Sequence, residues 1–150
     1  MSERAIVEVI DSLDSTSITD ALSANQGRVL NEKIKDTGWI DLPLSGEVTE
    51  YDVGSKPQYR KIGKVVYLRG AVKGITSPNT EIGVLPVGYR PSGLSHIYVQ
   101  VTSVQSNSAN FTRMIVGRDG KVIMQEISRG ITATYDSTRW FPITTSFPID

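Results

Sequence analysis

The chain has 150 residues, no cysteine, one histidine and a formal net charge of zero, since 16 Lys and Arg balance 16 Asp and Glu. This length accommodates one ordinary domain and a short appendage. The balanced charge offers no basic field, so neither nucleic acid nor a membrane is an expected partner. Without thiols there are no disulfides or cysteine-based zinc sites, and we expect neither a metal nor a cofactor. The N-terminus lacks the apolar run of a signal peptide, which predicts synthesis in the cytoplasm.

The sequence pattern changes near residue 38. All seven prolines and twelve of the thirteen glycines follow residue 37. Before that point apolar residues recur at spacings of three and four, which is typical of a helix. After it they alternate, which is typical of strands joined by turns. We therefore predict a helical stem over residues 1–37 and a β head over residues 38–150. Residues 6–13 fit either a helical turn or two or a short strand.

The clearest helix is predicted from about Ala24 to Lys35. Ser23 and Gln26 have the spacing of a capping box. Gly27, Leu30 and Ile34 follow the three-and-four spacing of a coiled-coil seam. A helix this short is marginal alone, so it needs a partner. That partner is either the chain's own β domain or further copies of the stem, and the abrupt boundary at residues 36–38 favours self-association.

Three segments after residue 38 alternate between apolar and polar residues: 66–73, 96–102 and 141–149. Such short strands, separated by Gly and Pro turns and without a βαβ rhythm, predict a mainly β fold, an antiparallel β-barrel or β-sandwich. Asp119-Gly120 predicts a two-residue type I′ hairpin turn. Centred there, the hairpin pairs Ile115 with Met124, Val116 with Ile123, and Arg113 with Glu126.

No catalytic motif is present, so we expect a binding protein and not an enzyme. In the 96–102 strand the predicted core residues are Ile97, Val99 and Val101. The opposite face combines hydrogen-bonding and aromatic groups that suit sugar hydroxyls; it carries His96, Tyr98 and Gln100. A second group of the same chemistry precedes the last strand: Asp136, Arg139 and Trp140. The alternative is that these side chains belong to the core or to a subunit interface.

Four segments resemble phage proteins. The pattern TS-x-x-DALSANQG-x-VLN-x-KI at residues 16–34 resembles tail-fibre and baseplate proteins of phages and prophages of Gram-positive bacteria. YRKIGKVVYLRG at 59–70 and LPVGYRP at 85–91 look like head segments of the same proteins. The closing SFPID at 146–150 is similar to the C-terminus of receptor-binding proteins of lactococcal siphophages.

This resemblance implies a homotrimer with a coiled-coil stem and a β-barrel head that binds cell-wall saccharide or glycerol phosphate. It also implies a location in the virion, at the tail tip or fibre, with other tail or baseplate proteins contacted through the N-terminus. The trimer seam would be formed by Gly27, Leu30 and Ile34. We therefore expect a receptor-binding protein made in the host cytoplasm. The alternative is a virion protein with a purely structural role, such as a head fibre, a decoration protein or a baseplate adaptor.

Overall fold

The computed structural model describes residues 7–18, 20–93, 96–102, 110–127, 135 and 137–149, with the side chains of 96–102, 110 and 127 outside the description. The chain forms two compact units, Met1–Lys35 and Asp36–Asp150, here called the N-terminal unit and the head. Within the described residues the elements follow in this order: β1 (Val9–Ile10), β2 (Ala21–Leu22), α1 (Ala24–Ile34), β3 (Ile40–Asp41), β4 (Thr49–Glu50), a 3-10 turn (Val53–Ser55), β5 (Gln58–Ile62), β6 (Val65–Arg69), β7 (Ala71–Lys73), β8 (Thr80–Val84), β9 (His96–Thr102), β10 (Asn110–Val116), β11 (Lys121–Ile127), β12 (Phe141–Pro142) and β13 (Thr145–Pro148).

The N-terminal unit pairs β1 with β2 in parallel and then enters α1. The predicted cap is half formed, because Ser23 Oγ accepts a hydrogen bond from Gln26 N at 3.1 Å. The Gln26 side chain does not return to Ser23 but donates to Asp11 O at 3.1 Å. For residues 6–13 the sequence left a helical turn or a short strand open, and the structure has a two-residue strand there, Val9–Ile10. No residue of α1 is buried.

The head begins with Asp36 and Thr37, which pair with the end of β5. Asp36 forms an antiparallel bridge with Ile62, and Thr37 N donates to Lys61 O at 3.0 Å. Thr37 Oγ1 also accepts from Lys61 N at 2.9 Å. The compact head therefore starts two residues before the predicted boundary at residue 38.

Three antiparallel sheets form the described part of the head, with strand orders β8-β11-β10-β9, β12-β7-β4 and β13-β6-β5-β3. The mainly β prediction is confirmed. The described pairings leave these sheets open and form no closed barrel. All three sheets contribute to one hydrophobic core: Leu42, Val48, Tyr59, Val66, Leu68, Val72, Ile75, Ile82, Leu85, Met114, Val116, Val122, Met124, Phe141, Ile143 and Phe147.

The predicted strand over residues 66–73 is divided at Gly70, and the chain passes there from one sheet to another. Gly70 has φ +107°, and a Cβ at this position would lie 2.4 Å from Lys56 O. Only glycine fits such a close backbone approach. The C-terminal segment makes the same change of sheet between β12 and β13, and Ile143 N donates to Gly70 O at 2.9 Å. The predicted burial of this segment is confirmed, since Phe141 and Phe147 lie in the core.

The β10–β11 hairpin forms, but the predicted type I′ turn and its register are wrong near the turn. Gly120 has positive φ and Asp119 does not, whereas type I′ requires it at both positions. Gly120 N donates to Gly117 O and Gly117 N to Lys121 O, which makes a three-residue loop. The register consequently pairs Ile115 with Ile123 and Val116 with Val122. A bulge between Arg113 and Met114 then restores the predicted pairing of Arg113 with Glu126.

Candidate functional site

The predicted site residue Trp140 stacks on Tyr51. The ring centroids are 5.5 Å apart and the planes are inclined by 28°. Trp140 precedes β12, where Phe141 enters the core, so alternation turns Trp140 to the outer face of the β12-β7-β4 sheet. Tyr51 follows β4 and its N donates to Ala71 O at 3.0 Å. The two rings form an aromatic surface, called here the Tyr51–Trp140 platform, and Tyr51 remains 36% exposed.

A cation lies beside the platform. Lys73 Nζ donates to Tyr51 O at 3.2 Å. None of the ion pairs within the described ranges includes Lys73, so its charge is not offset there by a carboxylate. An aromatic surface flanked by an ammonium group can stack against a sugar ring and donate hydrogen bonds to its oxygens.

Arg139 has a buried polar atom without a partner. Its Nη1 atom is buried and makes no hydrogen bond to the described part of the chain. A buried donor left unsatisfied costs about 1–3 kcal/mol, so such a group calls for an acceptor. Asp136, the third member of this predicted group, lies outside the described residues.

The predicted group on β9 is described only by its backbone. The register pairs these positions with buried residues of β10: His96 with Val116, Tyr98 with Met114 and Gln100 with Thr112. Cross-strand partners share a face of the sheet. The three positions therefore share the face that carries Met114 and Val116, whereas the sequence alternation assigned them to the opposite face. Their side chains are outside the description, and their role in binding stays a prediction.

The predicted seam residues are open to solvent in the single chain. Leu30 is 39% exposed and Ile34 is 69% exposed. A Cβ added at Gly27 would meet nothing within 4 Å. The seam is therefore accessible for packing against other copies, and its role in assembly stays a prediction.

Sequence reasoning missed a second aromatic cluster, centred on Trp39. The guanidinium carbons of Arg69 and Arg60 lie 4.1 and 5.6 Å from the Trp39 ring centroid. Arg60 is also ion-paired with Asp36, and its hydrogen bond lowers the pKa of that carboxyl. Arg69 donates two hydrogen bonds to Gln58 Oε1. Since the protein's own cations cover this ring, we interpret Trp39 as structural.

Sequence reasoning also missed Tyr51 and Lys73. Tyr51 stands in a polar stretch that reads as a loop, and the partner of its ring is 89 positions later in the chain (140 − 51). The one feature of the sequence that could have indicated Tyr51 as a site residue is that it is aromatic. Its contact with Trp140 could not be predicted, because it depends on the pairing of β4 and β12 with β7. Within the described ranges, no group of three or more His, Cys, Asp or Glu side chains could hold a metal ion. No described helix is long and apolar enough to cross a membrane.

Comparisons with known proteins relate both units to phage proteins. Residues 9–38 match the family model described as phage tail fiber repeats. The head domain of lactococcal phage bIL170, from work on receptor-binding domains, has a TM-score of 0.53 and 15% identity, covering 74% of this chain and 96% of that one. The receptor-binding protein gp15 of Listeria phage PSA has a TM-score of 0.59 and 12% identity, covering 85% of this chain and 73% of that one. A search of curated protein sequences gives no match.

The chain has the fold of phage receptor-binding domains. The resemblance predicted from the sequence is thus confirmed, at the N-terminus by the fibre-repeat model and over most of the chain by the solved structures. Similar folds serve different functions, so the ligand has to be argued from this chain's own surface.

Proposed function

We propose that this protein is a phage receptor-binding protein that attaches the virion to a saccharide on the bacterial cell wall. The observation that carries the proposal is the Tyr51–Trp140 platform on a head with the receptor-binding fold. Sugar rings present apolar C–H faces that stack on aromatic planes, and hydroxyl groups that accept and donate hydrogen bonds. The protein binds its ligand and does not transform it.

The groups around the platform supply polar contacts. Lys73 offers an ammonium group that suits the oxygens of a sugar or of a phosphate attached to it. Arg139 stays a candidate contact from its residue type, since its partnerless Nη1 is buried and would have to be uncovered to meet a ligand. We keep the other residues predicted from sequence as further candidate contacts: His96, Tyr98, Gln100 and Asp136.

The N-terminal unit supports assembly into a homotrimer with a coiled-coil stem. Leu30 and Ile34 of the predicted seam are exposed in the single chain, and burying their remaining apolar surface would stabilise an assembly by about 25 cal/mol per Å². Three weak sites in one trimer, and many trimers in one virion, give tight attachment through avidity. We place the protein at the tail tip or fibre, made in the host cytoplasm and joined through its N-terminus to other tail or baseplate proteins.

The experiment compares Tyr51→Ala and Trp140→Ala with the wild type in calorimetric titrations against purified host wall polysaccharide. Loss of a stacking aromatic should weaken binding by at least about tenfold. Tyr67→Ala is the matched control, because Tyr67 is also a 36% exposed tyrosine but lies on the β13-β6-β5-β3 sheet. If both platform variants bind at wild-type levels, the Tyr51–Trp140 platform is not the saccharide-binding site.

A purely structural fibre protein is the second candidate, favoured by the match of residues 9–38 to tail fiber repeats. It predicts the same trimer but no affinity for any wall polysaccharide. Titration of the intact chain with polysaccharides from several Gram-positive hosts separates the two functions. Binding to none of them supports the structural role.

A further inference from the structure

A groove of about 460 Å³ lies in the head between the loop before β4, the loop after β7 and the start of β8, and Val48 lines it together with polar residues. Its size falls in the range of about 300–1,000 Å³ found for small-molecule sites. Six polar side chains line the groove: Ser45, Glu47, Thr76, Ser77, Thr80 and Glu81. We call it the Ser45–Glu81 groove; four of its six polar side chains are hydroxyls.

Glu81 is held in a defined orientation. Ser45 Oγ donates to Glu81 Oε1 at 2.8 Å, and Lys121 Nζ lies 3.0 Å from Glu81 Oε2. These two contacts lower the pKa of Glu81, so it is ionised at neutral pH. An ionised carboxylate has about four acceptor positions, and these contacts occupy two. Glu81 therefore keeps acceptor capacity for hydroxyl groups entering the groove.

The hydroxyl groups of Thr80 and Ser77, near Glu81, are also held by hydrogen bonds within the chain. Thr80 Oγ1 donates to Ser77 O at 2.7 Å, which leaves its oxygen lone pairs to accept. Ser77 Oγ lies 3.4 Å from Thr80 Oγ1. A hydroxyl both donates and accepts, so it matches the hydroxyls of a sugar.

Two glycines shape the groove. Gly74 has φ +88°, and a Cβ there would lie 2.4 Å from Glu47 O, so the two backbone segments touch. Gly46 has φ +59°, with nothing within 4 Å of a Cβ position. Gly74 thus allows the loop after β7 to approach the loop before β4 closely, and both loops line the groove.

The charge of the groove distinguishes it from the platform. Its lining contains two carboxylates, Glu47 and Glu81, and no Lys or Arg; the nearby Lys121 is paired with Glu81. A phosphate or carboxylate would be repelled, whereas neutral hydroxyls would be accepted. The groove also adjoins the segment that leads to Trp140, because Gly74 N donates to Ser137 O at 3.0 Å.

We propose that the Ser45–Glu81 groove is a second saccharide subsite, which binds neutral sugar units through their hydroxyl groups. The inference rests on the proposed function, since the sugar belongs to the same wall polysaccharide that the platform binds. It assigns neutral units to the groove and leaves the units that carry phosphate to the cationic surroundings of the platform.

The first test is a titration of the full-length, isotope-labelled protein, followed by amide NMR. The probes are glucose, galactose and N-acetylglucosamine, with glycerol 3-phosphate as the anionic comparison. At least one neutral sugar should shift the amide signals of Gly46, Gly74 and Glu81, and glycerol 3-phosphate should leave them unchanged. Unchanged signals with all three sugars, or equal shifts with glycerol 3-phosphate, would overturn the proposal.

The second test compares Glu81→Gln with Glu126→Gln in the polysaccharide titration. Both carboxylates lie on strands of the same sheet and pair with a cation at 3.0 Å, but Glu126 is outside the groove. We expect Glu81→Gln to weaken binding about tenfold, the loss of one charge-assisted hydrogen bond, and Glu126→Gln to have no effect. Thr80→Val removes a hydroxyl with little change in volume and should act in the same direction.

The outcomes separate this inference from the proposed function. Suppose that Trp140→Ala binds more weakly while Glu81→Gln and Thr80→Val bind like the wild type. This result would overturn the groove as a saccharide subsite and would leave the proposed receptor-binding function standing. Failure of the wild-type chain to bind any polysaccharide or sugar would overturn both. Melting temperatures of the four variants, measured beside the wild type, show that each compared protein is folded.

Discussion

In the N-terminal unit Leu22, Leu30 and Ile34 are 49%, 39% and 69% exposed, whereas in the head Leu68 and Phe141 are at most 1% exposed. Both units contain apolar residues in regular patterns. The head buries them within one chain because its three sheets surround a common core. In the described part of the N-terminal unit, one helix and two short strands leave α1 without a buried residue. The described part of the head thus buries its apolar pattern within one chain, whereas α1 leaves Leu30 and Ile34 exposed, which is the basis of the proposed association through the stem.

The largest expected effect is on association. Leu30→Ser with Ile34→Ser removes six seam side chains from a trimer, and the apolar surface lost with them would stabilise the seam by about 25 cal/mol per Å². We expect light scattering at micromolar concentration to give a trimer mass for the wild type and a monomer mass for the double variant, with an unchanged melting temperature of the head. Ile18→Ser is the control, since Ile18 is 98% exposed and outside the seam. A monomer mass for the wild-type chain would contradict the proposal that the N-terminal unit associates with other copies.

The next effect is on the head alone. Phe141 is fully buried, and Phe141→Ala should lower the free energy of unfolding by about 3–5 kcal/mol. Phe111 is 49% exposed, and Phe111→Ala should cost less than about 1.5 kcal/mol. Urea unfolding followed by tryptophan fluorescence measures both. Similar losses for the two variants would mean that the core does not dominate the stability of the head.

A smaller effect is expected from the helix cap. Ser23→Ala removes the acceptor of Gln26 N and should destabilise α1 by about 1 kcal/mol. Because α1 is the α-helix of the described chain, circular dichroism at 222 nm during heating reports this change. The control is Ser12→Ala, which removes a turn contact to Asp14 N but no cap. Equal melting of the two variants would show that the cap does not limit the helix.

The smallest effect is the response of the N-terminal unit to acid. Hydrogen bonds from Ser23, then Asn25, lower the pKa of Asp11 below its ordinary value of 3.8. A depressed carboxyl pKa gives stability that is present above the ordinary value and lost as pH falls through the folded pKa. The helix signal should therefore fall below about pH 4. Asp11→Asn should remove part of this pH dependence, and an unchanged acid profile would exclude Asp11 as its source.

Local patterns were sufficient for some features. The Ser23 cap, the helix over most of its predicted length and the buried alternation of Val66 and Leu68 depend on neighbouring residues, and the structure has each of them. The hairpin shows the limit of such reasoning. Asp119-Gly120 marks the turn, yet the three-residue loop was not predicted, because a glycine of positive φ closes a three-residue loop as well as a two-residue one; the bulge between Arg113 and Met114 was not predicted either.

The candidate sites divide in the same way. Trp140 was predicted from its residue type and its alternation with Phe141, both of which are local. Its partner Tyr51 and the Ser45–Glu81 groove required the pairing of β4 and β12 with β7, and of β8 with β11. Residues far apart in the chain meet only after these pairings form. The sequence by itself thus determined the helix that follows Ser23, the mainly β character of the head and the resemblance to phage fibre proteins, since these depend on local periodicity and motif. Only the tertiary structure decided which side chains meet at a surface, because that depends on non-local strand register.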